Sequence, residues 1–407
     1  MRMIPVTKPY FTQDENDMIA ETLSSGWVAQ GPRVAEFEEV IARHEGVAAG
    51  IATTSCTTAL HLAMTAQGLG EGMDAIAPAF TFVATENAIV ATGAVPVMVD
   101  IRQDTFNMDT DKLYELIETN YVNKDGKLFN KETGNLLWGI IPVHEFGLCC
   151  EIERINDLAT AYNLQVIEDA ACALGAKYKD KHPGTFGNTA CVSFHPRKSI
   201  TTGEGGMILT NDYSLAKRLR ELRTHGSTIS ADARNKKSGF LLPEHNEAGY
   251  NYRMTDVQGA MGQAQARKLD YIIEEKRKRA LLYNSLIAEK LPEFVIPYEP
   301  ENYFHTYQSY VCMLDYSRIG LDSIKSGGEY RNRLLQRLED VGIATRQGTH
   351  AVHMLGYYRK RFGYLPEDYI NAYACDHLSI TLPLYVRMTD EDMVYVVEMI
   401  RKTIDTM

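Results

Sequence analysis

Short apolar segments alternate with longer segments of helical periodicity along the first half of the chain, and this alternation restricts the possible folds more than any other feature. The apolar segments are 48–53, 75–78, 95–100, 138–143, 164–169, 190–194 and 206–210. Each has the length of a buried strand, and several are separated by segments with helical spacing. Strands that alternate with helices form a mostly parallel sheet with covered faces. The sequence therefore predicts an α/β fold.

Length and composition predict a two-domain protein that does not span a membrane. The chain has 407 residues, more than one hydrophobic core usually organises, and we expect a large domain over 1–270 and a smaller one over 271–407. No apolar run approaches the ~20 residues that cross a bilayer, and the first residues lack the apolar core of a signal peptide. We therefore expect a soluble, cytoplasmic protein.

Charge and cysteine usage argue against other classes of protein. The formal net charge of −11 is unsuited to general nucleic-acid binding, which needs a basic surface. The seven cysteines are odd in number and lack metal-ligand spacing, so we expect neither disulfides nor a metal site.

One lysine has an unusual setting. Lys198 lies between two predicted core strands, in a segment over 193–206 that is rich in turn formers, hydroxyls and glycines. Loop residues held by core strands are well positioned for chemistry. Such a lysine can bond covalently to an aldehyde cofactor, although a lysine taken at random is usually a solvated surface residue.

A carboxylate precedes this loop. Asp169 ends the apolar strand predicted over 164–169, and open α/β sheets bind ligands at the carboxyl ends of their strands. At that position it can keep the nitrogen of a pyridine ring protonated, which makes the ring an electron sink. A helix N-cap is an equally good interpretation of Asp169.

The helix predicted over 57–69 begins with hydroxyl-bearing residues, in the turn Ser55-Cys56-Thr57-Thr58. Free amides, hydroxyls and the helix dipole at such an end form a phosphate site. An ordinary Ser/Thr cap is the alternative.

Several motifs, in order along the chain, resemble those of the DegT/StrS-type nucleotide-sugar aminotransferases. They are Ser24-Ser25-Gly26-Trp27 with Gln30-Gly31-Pro32, the run 78–85, Ile167-Glu168-Asp169-Ala170-Ala171, the Lys198 loop, and Asn251-Tyr252-Arg253-Met254-Thr255-Asp256. The resemblance extends from about Pro5 to the C-terminus. It implies the aspartate-aminotransferase-like fold (fold type I), which has a mostly parallel sheet with helices on both faces and a smaller C-terminal α+β domain.

The resemblance also implies pyridoxal 5′-phosphate as the cofactor. Lys198 would bind it covalently and act in catalysis, and Asp169 would face its ring nitrogen. Further contacts with the cofactor are implied for Ser55, Cys56, Thr57, Phe82, Cys172, Ser193 and Asn251.

Some of these contacts have specific roles in the family, and two positions depart from its pattern. Phe82 would stack on the pyridine ring, Ser193 would reach the phosphate, and Asn251 would contact the phosphate bound by the partner subunit. Cys56 replaces a glycine of the family, and Cys172 replaces a glutamine that commonly lies near the phenolic oxygen.

A separate set of residues is expected to bind the substrate, namely Gln30, His195, Arg253, Arg346 and His350. Arg346, His350 and His353 belong to a loop of the smaller domain that we expect to face the substrate. In the family, the segment that holds the basic residues Arg234, Lys236 and Lys237 crosses to the partner subunit.

The implied reaction transfers an amino group from L-glutamate to the keto group of a nucleotide-linked sugar, in a homodimer with shared active sites. The lysine loop resembles that of members acting at C4 of 4-keto-6-deoxy sugars, which serve surface polysaccharides and glycoconjugates. A pyridoxamine-phosphate-dependent sugar dehydratase shares the fold, but a histidine replaces its lysine, so Lys198 argues against it. A catalytically idle cofactor- or sugar-binding protein is the other alternative.

The segment 121–137 has no counterpart that we expect from the resemblance. It contains the turn signals Asn123-Lys124-Asp125-Gly126 and Glu132-Thr133-Gly134-Asn135 around an apolar stretch at 127–129. These signals predict an inserted hairpin.

Overall fold

Helices and strands alternate through the N-terminal part of the structure, a computed structural model that describes residues 2–229 and 242–407. The strands, in chain order, are β1 (Ala49–Thr53), β2 (Met73–Pro78), β3 (Phe80–Thr81), β4 (Val95–Val99), β5 (Tyr121–Lys124), β6 (Lys127–Asn130), β7 (Leu136–Ile140), β8 (Gln165–Asp169), β9 (Lys177–Tyr178), β10 (Thr189–Ser193), β11 (Gly206–Thr210), β12 (Phe294–Val295), β13 (Tyr303–Phe304), β14 (Tyr310–Leu314), β15 (His350–Ala351) and β16 (Ser379–Leu382). The α-helices are α1 (Gln13–Ser25), α2 (Pro32–Glu45), α3 (Cys56–Ala66), α4 (Ala84–Ala91), α5 (Thr110–Asn120), α6 (Ile152–Tyr162), α7 (Tyr213–Leu222), α8 (Asp256–Ala266), α9 (Leu269–Lys290), α10 (Ile324–Asp340), α11 (Gly356–Phe362), α12 (Ile370–Leu378) and α13 (Asp390–Asp405).

The central sheet has the strand order β1-β11-β10-β8-β7-β2-β4. The strands from β10 to β4 in this order run parallel to one another, and β11 runs antiparallel to both of its neighbours. The mostly parallel α/β sheet predicted from the alternation of strands and helices is confirmed.

Both faces of this sheet are covered by helices. Successive residues of a strand point to opposite faces, and Ile51 and Ala52 of β1 accordingly lie in two different apolar clusters. Cys191 and Val192 of β10 divide in the same way. The first cluster includes residues of α3 and α7, and the second includes residues of α2 and α9. Burial on both faces explains why these strands read as continuous apolar runs.

The segment 121–137 forms the predicted hairpin, in which β5 pairs antiparallel with β6. Three of its side chains donate to the buried carboxylate of Asp74: Tyr121 through its hydroxyl at 2.9 Å, Asn130 through Nδ2 at 2.9 Å and Asn135 through Nδ2 at 2.8 Å. These bonds satisfy a buried charge and fix the hairpin against β2.

A separate apolar cluster organises the C-terminal residues around the antiparallel sheet β12-β14-β16. The helices α9, α10 and α13 contribute to it through residues such as Tyr283, Leu334 and Val396. Ile4 belongs to the same cluster, so the N-terminal segment packs on the C-terminal part of the chain. A domain boundary at 270/271 would fall in the first turn of α9, and it stays a prediction.

The structure also bears on membrane spans, disulfides and metal ligands. None of the described helices is long and apolar enough to cross a membrane. All seven cysteines are free thiols. Within 2–229 and 242–407, histidine, cysteine and carboxylate side chains form no group of three that could hold a metal ion.

Candidate active site

The lysine loop connects β10 to β11 on the side of the central sheet where the parallel strands have their carboxyl ends. Ser193 and Gly206 pair across the two strands, so the loop begins and ends at the same place. The amide of Lys198 donates to the carbonyl oxygen of His195 at 2.8 Å, which forms a turn before the lysine. His195 is half-buried, and burial lowers its pKa. The prediction of a lysine in a loop between two core strands is confirmed.

Asp169 ends β8, beside this loop, and pairs with Cys191 of β10. Its side chain is buried, and one carboxylate oxygen accepts a hydrogen bond from Thr85 Oγ1 at 2.7 Å. The other oxygen accepts from the amide of Ala171 at 3.0 Å. Residues 170–176 form turns and not a helix, so the N-cap interpretation of Asp169 is wrong. A buried, positioned carboxylate remains at the carboxyl end of the strand.

The N-terminus of α3 lies at the same edge of the sheet. Ser55 is the N-cap, and its Oγ accepts from the amide of Thr58 at 3.2 Å, so the turn is also an ordinary cap. Thr57 is exposed and Cys56 is buried. A Cβ added to Gly206 would lie 2.4 Å from the carbonyl carbon of Ser55, so only glycine lets β11 approach so closely. The first amides of α3 are thereby held beside the lysine loop, where they suit a phosphate group.

The amine of Lys198 contacts a cysteine. Lys198 Nζ lies 3.0 Å from Cys172 Sγ, at the position where the family commonly has glutamine. Burial raises the pKa of the Cys172 thiol, so at neutral pH this contact joins an amine to an uncharged thiol. The departure from the family therefore places sulfur directly against the lysine nitrogen.

Phe82 presents a free aromatic face. It follows β3, and 63% of its surface is exposed. Because β3 pairs with β15, His350 lies opposite Thr81. The ring nitrogen Nδ1 of His350 lies 2.8 Å from Gln347 Nε2. The pairing brings one residue of the predicted substrate loop next to the residue predicted to stack on the ring.

Arg346 lies on a cavity of about 310 Å³, which Arg197 and Gln308 also line. Arg197 immediately precedes the lysine, and both guanidinium groups belong to exposed residues. Two arginines on one cavity can bind an anionic group of a substrate through charge-assisted hydrogen bonds.

Three other predicted site residues lie in segments outside the lysine loop. Gln30 precedes α2, and its buried side-chain oxygen has no partner among the described residues. Asn251 is exposed and Arg253 is half-buried, on either side of Tyr252. The carbonyl oxygen of Tyr252 accepts from the amide of Thr54 at 3.1 Å, which ties this segment to the α3 N-terminus of its own chain. A contact of Asn251 with a partner subunit stays a prediction.

The expectation that His353 faces the substrate is wrong. It is fully buried in the short helical turn Val352–Met354, and its ring packs edge-on against Tyr369 with 5.0 Å between centroids. Burial lowers its pKa, so it is an uncharged core residue. The predicted basic segment lies outside the described residues at Arg234, Lys236 and Lys237.

Two buried carboxyl groups near Asp169 were not among the predicted site residues. Glu86 lies on α4 and Glu145 follows β7. Burial raises the pKa of Glu145 to about 8 and that of Glu86 far above its ordinary value, and the charge of Asp169 adds to both effects. Neither oxygen of Glu86 has a hydrogen-bond partner in the described part of the chain. An acid within the helix Ala84–Ala91, whose other residues are all uncharged, is a signal that could have revealed Glu86.

The geometry of Glu145 is unusual as well. The next residue, Phe146, has φ 54°, a left-handed conformation that non-glycine residues rarely adopt. The amide of Glu145 donates to Asn107 Oδ1 at 2.9 Å. A strained turn therefore holds this carboxyl group in the core.

The chemistry of the site matches the parts of pyridoxal 5′-phosphate. The exposed ring of Phe82 suits the face of a pyridine, and the buried carboxylate of Asp169 suits its nitrogen. The α3 N-terminus at Ser55 suits the phosphate, and the amine of Lys198 suits the aldehyde. These groups gather at the carboxyl edge of the sheet, where α/β proteins bind their ligands.

Comparison with known proteins agrees with this geometry. The model of the DegT/DnrJ/EryC1/StrS aminotransferase family matches residues 9–401. The chain is 33% identical over 399 residues to the spore coat polysaccharide biosynthesis protein SpsC of Bacillus subtilis, with 98% of this chain and 96% of that protein covered. It is 33% identical over 392 residues to GDP-perosamine synthase of Caulobacter vibrioides, with 96% and 95% covered. The structure matches the crystal structure of the aminotransferase TlmJ of Streptoalloteichus hindustanus with a TM-score of 0.84, 26% identity and 100% of both chains covered.

Proposed function

The chain belongs to the DegT/DnrJ/EryC1/StrS aminotransferase family, and on that premise we propose that it transfers the amino group of L-glutamate to the 4-keto group of a nucleotide-linked 6-deoxyhexose. It is a sugar aminotransferase that uses pyridoxal 5′-phosphate. The donor, the sugar and the position of amination belong to the proposal.

The observation that carries the proposal is the position of Asp169 relative to Lys198. Asp169 is buried at the end of β8, and Thr85 fixes one of its oxygens. Lys198 lies in the loop after the next strand of the sheet. A transaminase needs a lysine for the aldehyde carbon and a carboxylate for the ring nitrogen of one cofactor.

The residues of this chain then have separate tasks. Bound pyridoxal 5′-phosphate supplies an electron sink that stabilises negative charge at the α-carbon of the amino donor. Ser193 and the α3 N-terminus bind the phosphate, and Asp169 holds the proton on the ring nitrogen. Lys198 moves a proton between the α-carbon of the donor and carbon C4′ of the cofactor. Arg346 and His350 bind the substrate from the C-terminal loop.

The names of the relatives support the substrate class. One relative is named as a GDP-perosamine synthase, which supports a nucleotide-linked sugar. Another is named for spore coat polysaccharide biosynthesis, which supports a role in making amino-deoxy sugars for surface polysaccharide or glycoconjugate. We place the reaction in the cytoplasm and in a homodimer, with Asn251 reaching the active site of the partner subunit.

The test is a panel of keto sugar nucleotides offered with L-glutamate and pyridoxal 5′-phosphate, read by product mass. We expect an amino sugar nucleotide and an equal amount of 2-oxoglutarate, with 4-keto-6-deoxy members as the best substrates. The Lys198→Ala variant is the control and should form neither product. Loss of a hydroxyl group without gain of nitrogen would support the dehydratase alternative, and a protein that takes up no cofactor would support the idle binder.

A further inference from the structure

The cavity that Arg197 and Arg346 line carries positive charge that no carboxylate neutralises. Both arginines are exposed, and within 2–229 and 242–407 no carboxylate oxygen lies within 4.0 Å of the side-chain nitrogens of either. The chain has 53 acidic residues against 42 lysines and arginines, so acidic partners are not scarce. Two like charges on one cavity repel each other, and an anionic ligand between them would remove that repulsion.

The backbone fixes both arginines in the wall of this cavity. The amide of Arg346 donates to the carbonyl oxygen of Thr381 at 3.3 Å, and its own carbonyl oxygen accepts from the amide of Thr381 at 2.6 Å. The carbonyl oxygen of Arg197 accepts from Nε2 of the buried Gln308 at 2.6 Å. Anchoring reduces the entropy that is lost when a guanidinium group binds a ligand. The two guanidinium groups are therefore presented from fixed points.

The cavity lies between the two segments that hold the predicted site residues. Arg197 belongs to the lysine loop. From the C-terminal loop, Gln347 lines the cavity, and its Nε2 lies 2.8 Å from Nδ1 of His350. The pairing of β15 with β3 holds His350 opposite Thr81, next to Phe82. The cavity is thus beside the place where the amino donor has to reach the cofactor.

The size and lining of the cavity favour a small ligand with two negative groups. Its volume of about 310 Å³ is at the small end of the range for ligand cavities. Thr7 and Ser309, which bear hydroxyl groups, also line it. Each guanidinium can bind one carboxylate through two parallel hydrogen bonds. An amino acid with two carboxylates therefore matches two arginines, whereas the diphosphate of a sugar nucleotide has a nucleoside on one side and a sugar on the other and needs a larger space.

We propose that this cavity binds the amino donor, and that Arg197 pairs with the side-chain carboxylate of L-glutamate while Arg346 pairs with the α-carboxylate. The α-carboxylate is attached to the carbon that reacts, and Arg346 belongs to the loop that reaches Phe82 through His350. Arg197 is left for the other carboxylate and thereby selects a dicarboxylic donor. This inference rests on the proposed function.

The first test follows the donor without the sugar. Enzyme loaded with pyridoxal 5′-phosphate is mixed with L-glutamate or L-glutamine, and absorbance records the conversion of the cofactor to its amino form. Arg197→Met should lower the second-order rate constant for L-glutamate by about 10- to 100-fold, as expected for loss of a hydrogen bond between charged groups, and should affect that for L-glutamine little. Arg346→Met should slow both donors by similar factors, because both have an α-carboxylate.

Three controls accompany this test. Arg197→Lys keeps the charge without the planar fork and should keep part of the preference for L-glutamate. Arg43→Met removes a guanidinium that is 72% exposed on α2 and should leave both rate constants unchanged. Enzyme loaded with pyridoxamine 5′-phosphate is mixed with the keto sugar nucleotide, and here the loss in Arg197→Met should be much smaller than with L-glutamate. Equal slowing of L-glutamate and L-glutamine by Arg197→Met, or a larger effect on the sugar nucleotide, would overturn the inference.

A second test measures binding without turnover. Glutarate has both carboxylates of L-glutamate but no amino group that could react. In calorimetric titrations of the cofactor-loaded enzyme it should bind the wild type, and about 10- to 100-fold more weakly to Arg197→Met and to Arg346→Met. Binding of inorganic pyrophosphate in place of glutarate would overturn the inference. If glutarate binds as expected but L-glutamate does not aminate the cofactor of the wild type, the proposed function fails while the assignment of the cavity stands.

Discussion

The buried carboxyl group of Glu145 gives a pH dependence of stability that can be worked out from the structure. Burial raises its pKa from an ordinary value of 4.5 to about 8. Between these values the folded state keeps a proton that the unfolded state releases. The contribution of this protonated group to stability is therefore fully present below pH 4.5 and is lost as the pH rises through about 8.

The size of the effect follows from the linkage between protons and folding. Each pH unit in this window lowers the free energy of unfolding by about 1.4 kcal/mol. Glu145→Gln keeps the shape of the side chain and removes its titration, so the variant should gain stability relative to the wild type as the pH rises. For a chain of 407 residues, about 1.4 kcal/mol corresponds to about 1.6 °C in Tm. The Tm difference should therefore grow by about 3 °C between about pH 5.5 and 7.5.

Thermal unfolding of the cofactor-loaded wild type and variant, scanned across this pH range, is the assay. Glu115→Gln makes the same change of charge at a side chain that is 65% exposed on α5, and its Tm difference should not vary with pH. A Tm difference for Glu145→Gln that stays flat over the whole range would refute the reasoning, because Glu145 would then be ionised in the folded protein.

Three further substitutions test the cofactor site. Asp169→Asn should leave the cofactor bound but lower kcat by at least about 10²-fold, since a neutral amide cannot hold the ring proton; turnover within a few-fold of wild type would show that Asp169 is only structural. Gly206→Ala should weaken binding of pyridoxal 5′-phosphate in a fluorescence titration, because its Cβ would lie 2.4 Å from the carbonyl carbon of Ser55. Gly356→Ala, where a Cβ meets nothing within 4 Å, is its control and should bind normally. Asn251→Ala should weaken retention of the cofactor while changing the Tm little. A fully active monomer at micromolar concentration would contradict the shared site.

The fold was predictable because its central strands are buried on both faces. β8, β10 and β11 appear in the sequence as short apolar runs, and the loop that holds Lys198 is bounded by two of them. The hairpin over 121–137 was predictable from its turn residues, because the pair Asp125-Gly126 supplies the positive φ angles that the turn requires.

The structure was needed to exclude a helix cap at Asp169. The alanine-rich residues that follow it are compatible with a helix in propensity, which kept the N-cap interpretation open. In the folded chain the amide of Ala170 donates to the carbonyl oxygen of Cys191 at 2.8 Å, and this contact with β10 replaces the first turn of a helix. Tertiary contacts decided against the local preference.

Burial of polar residues was the least predictable feature of the site. His353 resembles any loop histidine in the sequence, and only the packing of Tyr369 against it shows that it belongs to the core. Glu145 comes shortly after the apolar segment 138–143, but its lack of charge depends on surroundings that the sequence does not specify.

Borohydride reduction of the cofactor-loaded enzyme, followed by peptide mapping, tests the central claim most directly. The account predicts a single cofactor-modified peptide that contains Lys198. In Lys198→Ala this peptide should be unmodified, the cofactor should still bind by non-covalent contacts, and conversion of keto sugar to amino sugar should cease. Modification of another lysine, or appreciable turnover by Lys198→Ala with a residue such as His195 as the base, would contradict the account.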